Sequence, residues 1–277
     1  MADPAGGQAD GLAGRVALVT GGARGIGRAS AVALARAGCD VIAVDACALV
    51  DEDAAYPPAT TDDLAETVRL VEAHGRRAVG HVADVRDMDA LQAAVDDGRD
   101  RLGTLDVVLA SAGVMSWGSL LDVTPTQWRV TMDTNVTGVW HTLRAVVPPM
   151  IEHRVPGSIV IVNSVCGLKG MPMQAHYVTA KHALVGLSRA AAVELGPHRI
   201  RVNSVHPWGV DTAMSQSSAL PGLLARHPQH ARSFESAMPP RLIPPEDIAA
   251  LVVFLAGDQS RSITGQAYPV DRGALLI

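Results

Sequence analysis

Apolar and polar positions along the chain follow two alternating patterns. Continuous aliphatic runs of five or six residues occur at Arg15–Val19, Val41–Asp45, Ala78–Ala83, Asp106–Ala110, Ser158–Asn163, Ile200–Val205 and Gln266–Val270. Between them lie stretches whose apolar residues recur at helical spacing: Ile26–Ala37, Asp62–His74, Met88–Leu102, Pro125–Ile151, Ala175–Glu194 and Pro245–Leu255. Unbroken aliphatic runs suit strands buried on both faces, which is the situation of a parallel sheet covered by helices. Seven such strands alternating with helices predict one α/β domain, a doubly wound sheet of seven mainly parallel strands with helices on both faces.

Two stretches interrupt this rhythm. Residues 46–61 are long for a strand-to-helix connection and carry Tyr56-Pro57-Pro58; residues 215–241 are polar and punctuated by prolines around a short helical segment. Both leave the carboxyl ends of strands, where ligands bind in an open α/β sheet. The first is expected to cover a cofactor and the second to act as a substrate lid, with ordinary surface insertions as the alternative.

Composition narrows the picture. The chain has 277 residues, 48% of them hydrophobic but only 3% aromatic, so the core is built from Ala, Val, Leu and Ile. A net charge of −5 with no Lys/Arg cluster argues against a nucleic-acid partner. Cys39, Cys47 and Cys166 form no CxxC pair, as in a reducing compartment. No metal site is expected. The first residues lack the apolar core of a signal peptide, and no uncharged apolar run reaches the length of a membrane span. A cytoplasmic protein is expected, with a flexible tail over residues 1–13 and a single catalytic domain over 14–277.

Candidate chemistry sits at the strand ends. Thr20-Gly21-Gly22-Ala23-Arg24-Gly25-Ile26-Gly27 joins the first strand to the first helix. Absent side chains at Gly21, Gly25 and Gly27 let backbone amides approach a pyrophosphate at a helix amino terminus, although tight glycine turns also serve packing. Asp45 ends the second strand, where a carboxylate accepts the adenosine ribose hydroxyls and repels a 2′-phosphate, favouring NAD over NADP. Arg24 argues the other way, since its guanidinium suits that phosphate. Capping of a turn is the plainer role for Asp45. Asp84 and Val85 end the third strand, placed to hold an adenine edge. The small residues Ala110-Ser111-Ala112-Gly113 end the fourth and leave room for a cofactor.

The chain has three tyrosines and two lysines, Lys169 and Lys181, yet contains Tyr177-x-x-x-Lys181. Such a pair arises by chance in about 2% of chains of this composition. At i,i+4 the ammonium lies on the face of the phenol and is expected to favour phenolate, a base able to take the proton of an alcohol. Ser164, after the fifth strand, is placed to hold a substrate oxygen or to cap a helix. Asn135, a poor helix former in mid-helix, is placed to anchor a water relay or to pack as a buried polar group.

The order Thr-Gly-x-x-x-Gly-x-Gly, Asp45, Asn135-Val136-Thr137-Gly138, Ser164 and Tyr177-x-x-x-Lys181 resembles the short-chain dehydrogenase/reductase family, over residues 14–273. The resemblance implies a Rossmann domain and a catalytic tetrad of Asn135, Ser164, Tyr177 and Lys181. It implies cofactor contacts from Gly21, Arg24, Ile26, Asp45, Asp84, Val85, Asn135, Tyr177, Lys181, Val210 and Thr212, with Gly25, Gly27 and Ala112 beside them. It also implies a homotetramer formed through the helices 125–151 and 175–194. The insertion, followed by Asp63-Leu64-Ala65-Glu66-Thr67-Val68, is similar to the carveol-dehydrogenase-like, mycofactocin-coupled branch, whose members hold NAD for recycling by a redox partner. Two departures stand out: Ser111 replaces the usual Asn of Asn-Ala-Gly, and Trp208 stands between Pro207 and Gly209.

The expected substrate is a small hydrophobic secondary alcohol or its ketone, against a wall of Val165, Cys166, Leu168, Met171, Met173, Trp208 and Met214. An NADPH-dependent 3-oxoacyl-type reductase and a non-catalytic dinucleotide-binding protein are the rival readings; Asp45 opposes the first, and the complete tetrad the second.

Overall fold

The computed structural model describes residues 11–154 and 156–277. Most of the expected tail lies outside them, but Leu12, counted with it, packs in the core. The strands are β1 (Val16–Thr20), β2 (Asp40–Asp45), β3 (Ala78–Val82), β4 (Leu105–Ala110), β5 (Gly157–Val162), β6 (Ile200–Pro207) and β7 (Ala267–Val270). They form one sheet in the order β3-β2-β1-β4-β5-β6-β7, and every neighbouring pair is parallel. The central strands β1, β4 and β5 are buried almost throughout, as continuous aliphatic runs require.

Helices α1 (Gly25–Arg36), α2 (Thr61–Glu72), α3 (Met88–Leu102), α4 (Pro125–Met132), α5 (Gly138–Glu152), α6 (Ala175–Leu195), α7 (Ala219–Arg226) and α8 (Pro245–Ala256) complete the fold. Alternate residues of β1 point to opposite faces: Ala17 and Val19 join α1, α2 and α8, while Val16 and Leu18 join α3, α5 and α6. The expected boundaries hold to within one or two residues, with one exception.

The helix expected over Pro125–Ile151 is not continuous. Between α4 and α5 the segment Asp133–Thr137 is π-helical, one residue wider per turn. At its centre the fully buried Asn135 donates from Nδ2 to the Val114 carbonyl (2.9 Å) and accepts the Val114 amide at Oδ1 (2.8 Å). The carboxamide thus acts as a short antiparallel rung to the β4–α4 loop, and the wider turn brings it there.

The strand order reverses between β1 and β4, which opens a crevice at their carboxyl ends. Two excursions rise over it. Residues 46–60 lead to α2, which starts at a capping box of Thr60 and Asp63. The second excursion, with α7 inside it, is pinned at its base: the Ile243 amide donates to the Gly209 carbonyl (2.8 Å), and the Asp211 amide donates to that of Ile243 (2.9 Å). Ser217 Oγ of the second donates to the Ala54 carbonyl of the first (3.4 Å), so the two excursions meet.

Candidate active site

A cleft of about 540 Å³ runs along the carboxyl edge of the sheet, beneath both excursions. Gly21, Arg24, Gly25, Ile26, Gly27, Asp45, Asp84, Val85, Ala112, Ser164, Tyr177, Lys181, Val210 and Thr212 all line it, so residues from seven segments converge. Asn135 does not. Its side chain is spent on Val114, and Thr134 lines the cleft instead. Among the described residues no cluster of His, Cys, Asp or Glu is arranged to hold a metal.

At one end the glycine turn is tight enough to forbid side chains. Gly21 has φ +66°, and a Cβ there would lie 2.9 Å from the Ala112 backbone; one on Gly27 would lie 2.0 Å from the Gly21 carbonyl oxygen. α1 then begins with Arg24 at its N-cap, without a side-chain cap and without an acidic residue in its first turn. Its first amides therefore face the cleft with no side-chain acceptor, the arrangement that binds phosphate. Thr20 Oγ1 accepts the amides of Ser111 (3.1 Å) and Ala112 (3.3 Å), lacing β1 to β4 where the family's usual Asn is missing.

Asp45 caps the same turn: its carboxylate accepts the Ala23 amide (3.1 Å) and the Cys47 amide (3.0 Å). Each oxygen keeps a further lone pair, and the residue lines the cleft. Arg24 lies over the Tyr56 ring, 5.9 Å from its centre. The Asp84 carboxylate is held by Arg86 Nη2 at 2.6 Å, which keeps it below the usual carboxylate range against the opposing effect of burial.

At the other end lie Ser164, Tyr177 and Lys181. Asn163, a polar residue closing an aliphatic strand, fixes their spacing: its Nδ2 donates to the Lys181 carbonyl (3.0 Å) and its Oδ1 accepts the Ser164 amide (2.9 Å). Burial pushes the Tyr177 phenol up, with the nearby Cys166 thiol adding to it and a hydrogen bond with Ser164 pulling the other way. Lys181 Nζ donates to the Val162 carbonyl (3.1 Å) and sits 5.4 Å from the centre of the Tyr177 ring. Burial brings Lys181 down to about 8, so it stays mostly charged at neutral pH. Lys181 is turned to a main-chain carbonyl, and desolvation dominates the phenol.

The substrate wall also differs from expectation. Cys166, Trp208 and Met214 line the cleft, but Val165, Met171 and Met173 are buried in the core and Leu168 is partly exposed. The short 3-10 turn Val165–Gly167 directs neighbouring side chains to different sides, which spacing alone does not reveal. Met115, Trp117, Gln174, Leu220 and Phe234 take the vacated places. Phe234 packs between Trp117 (5.8 Å between ring centres) and Trp208 (6.4 Å). The only sequence signal for this cluster was the scarcity of aromatic residues, which makes each one conspicuous.

With this geometry in place, comparison with known proteins is decisive. The family model for enoyl-(acyl carrier protein) reductase matches residues 21–274. The chain belongs to the short-chain dehydrogenase/reductase family. It is 48% identical over 266 residues to an uncharacterised NAD-dependent oxidoreductase of Mycobacterium tuberculosis, covering 95% of this chain and 97% of the relative. It is 42% identical to (−)-trans-carveol dehydrogenase of Rhodococcus erythropolis over 272 residues, with 95% and 98% covered. A crystal structure of a short-chain dehydrogenase from Mycobacterium paratuberculosis bound to NAD superposes with a TM-score of 0.94 at 46% identity, covering 96% of this chain and 99% of that one.

Proposed function

We propose that this short-chain dehydrogenase/reductase is NAD-dependent and interconverts a small hydrophobic secondary alcohol and its ketone, with Tyr177 moving the hydroxyl proton. The observation that carries this reading is one cleft with a side-chain-free phosphate cradle at one end and Ser164, Tyr177 and Lys181 at the other. The names of the relatives, an NAD-dependent oxidoreductase and a carveol dehydrogenase, support it.

The residues fit NAD. Gly21 and Gly27 let the turn close on Ala112 and on itself, the first-turn amides of α1 are left without a side-chain acceptor for a pyrophosphate, and Asp45 suits an unmodified ribose. Arg24, the residue that argued for NADP, is engaged with Tyr56, which weakens the NADPH reading. When bound, NAD supplies the hydride acceptor for alcohol oxidation and, reduced, the donor for the reverse reaction. Ser164 holds the substrate oxygen, and Tyr177, kept neutral by burial, stands ready to donate a proton to a forming alkoxide. In the oxidative direction its own proton first passes to water in the cleft, and the Lys181 ammonium and the Ser164 hydroxyl stabilise the anion, which then takes the alcohol proton. Asn135 supports the site from behind by fixing the loop at Val114.

The proposal extends to the assembly and its setting. Exposed Trp140 on α5 and Val193 on α6 suit a homotetramer through these helices, and three unpaired cysteines suit the cytoplasm. The excursion over residues 46–60 suits retention of NAD for recycling by a redox partner. No helix among the described residues is long and apolar enough to cross a membrane.

The test is NADH formation across a panel of hydrophobic secondary alcohols. Tyr177→Phe is expected to keep NAD binding and to lower turnover by at least about a hundredfold, the scale of a lost general acid–base group. Turnover close to wild type removes Tyr177 from the mechanism.

A further inference from the structure

Gln174 is a fully desolvated amide in a wall that has no structural need of one. It is 3% exposed, lines the cleft, and stands one helical turn before Tyr177 at the N-cap of α6. Its side chain does not cap the helix. Nε2 donates to the Met115 thioether sulfur (2.8 Å), and Oε1 accepts the Cys166 thiol (3.6 Å). Both are weak partners, and turning the amide over leaves each end on sulfur all the same.

A primary amide carries two N–H donors and two acceptor lone pairs. One of each is spent here, on sulfur. Burying an amide so poorly paired costs stability, whereas a methionine of the same length would pack against Met115 and Cys166 without that cost. The main chain at this position makes its own contacts: Gln174 forms a β-bridge with Gly118 and accepts the Val178 amide (2.8 Å) at its carbonyl, so the carboxamide is not needed to hold the backbone. Cys166 links it to the chemistry, since the Cys166 amide donates to Ser164 Oγ (3.1 Å).

We propose that Gln174 recognises a second, uncharged oxygen on the substrate, so that the substrate class is a secondary alcohol bearing a hydroxyl or carbonyl close to the reacting carbinol. The proposal rests on the dehydrogenase reading and narrows it. The partner oxygen is uncharged because the groups touching the amide are a thioether and a thiol that burial keeps protonated, neither of which pairs with a charge. An amide built to pair with such an oxygen discriminates against an analogue lacking it, because the buried polar group is then left without its partner.

Cyclohexanol and the 1,2-, 1,3- and 1,4-cyclohexanediols are the probes, at saturating NAD, read by NADH formation and by ligand-induced thermal shift. The wild type is expected to favour at least one diol over cyclohexanol by about tenfold or more in kcat/KM, or to be stabilised more by it. Gln174→Met is expected to close that gap, mainly through the KM of the diol rather than kcat. Gln174→Asn, which withdraws the amide by one methylene, is expected to do the same, and the NAD-induced thermal shift of each variant checks that the cleft is intact. A wild type with no diol preference by either readout, or a preference that survives both substitutions, overturns the proposal. Absence of NADH from every alcohol, with Tyr177→Phe indistinguishable from wild type, is instead the failure of the dehydrogenase reading.

Discussion

At the end of β2 the Asp45 carboxylate already holds the Ala23 and Cys47 amides, so the group proposed to select the cofactor also ties down the loop around it. Asp45→Asn keeps a side-chain oxygen for one of those amides and removes the charge. It is expected to weaken NAD by roughly tenfold, the scale of a charge-assisted hydrogen bond, and to raise relative use of NADP. Titration of both cofactors against the variant measures this, and an unchanged NADP-to-NAD ratio shows that the carboxylate does not touch the ribose. The pair Tyr177 and Lys181 was legible in sequence because i,i+4 neighbours share a helix face whatever surrounds them. Their protonation was not, because it depends on burial, which elements distant in the chain impose.

At the scale of elements, the excursion over residues 46–60, proposed as a lid, is held over the cleft by three contacts. The Met115 amide donates to Tyr56 Oη (3.3 Å), Arg24 stacks over the same ring, and Ser217 reaches Ala54. Ala54 and Ala59 within it are buried. Its stiff Tyr56-Pro57-Pro58 segment has little ordering entropy left to lose when it closes. A lid acts mainly on the off-rate. The protein is therefore expected to retain NAD through dialysis, and replacing residues 48–58 with a short Gly/Ser turn is expected to speed release at least about tenfold. Stopped-flow displacement of bound NADH reads the rate; equal rates in the two proteins show that the excursion is no lid. The position of this insertion was plain from its length, and the break in the helix over Pro125–Ile151 was not. Asn135 signalled a weak point, but the π-helical turn is set by its fit to Val114, 21 residues away.

At the scale of the whole molecule, His206 makes the fold sensitive to acid. It is fully buried on β6, with Nδ1 at 2.8 Å from the Ser164 carbonyl and Nε2 at 2.9 Å from Ser204 Oγ. Burial pushes it down to about 4, an effect that the Ser164 carbonyl opposes and the Lys181 charge reinforces. The unfolded chain takes up this proton near pH 6.5, whereas the native protein resists it until about pH 4. Stability is therefore intact above about pH 6.5 and is lost as pH falls toward 4, by at most about 3 kcal/mol at about 1.4 kcal/mol per pH unit. Urea denaturation at pH 7 and pH 4.5 is expected to show a smaller loss for His206→Asn than for the wild type. Equal losses in the two proteins remove His206 as the cause.

The sequence by itself determined the strands, their alternation with helices, the glycine turn, and the placing of Asp45, Ser164, Tyr177 and Lys181 at strand ends or on one helix face. These follow from periodicity and spacing over a few residues, which local backbone geometry enforces. Only the tertiary structure decided which side chains line the cleft, that Asn135 braces a loop rather than lining it, and that the phenol is buried. Those outcomes turn on partners far apart in the chain, such as Gln174 with Met115 across 59 positions and His206 with Ser164 across 42. The order of strands in the sheet brings such residues together, and no short window of sequence contains both.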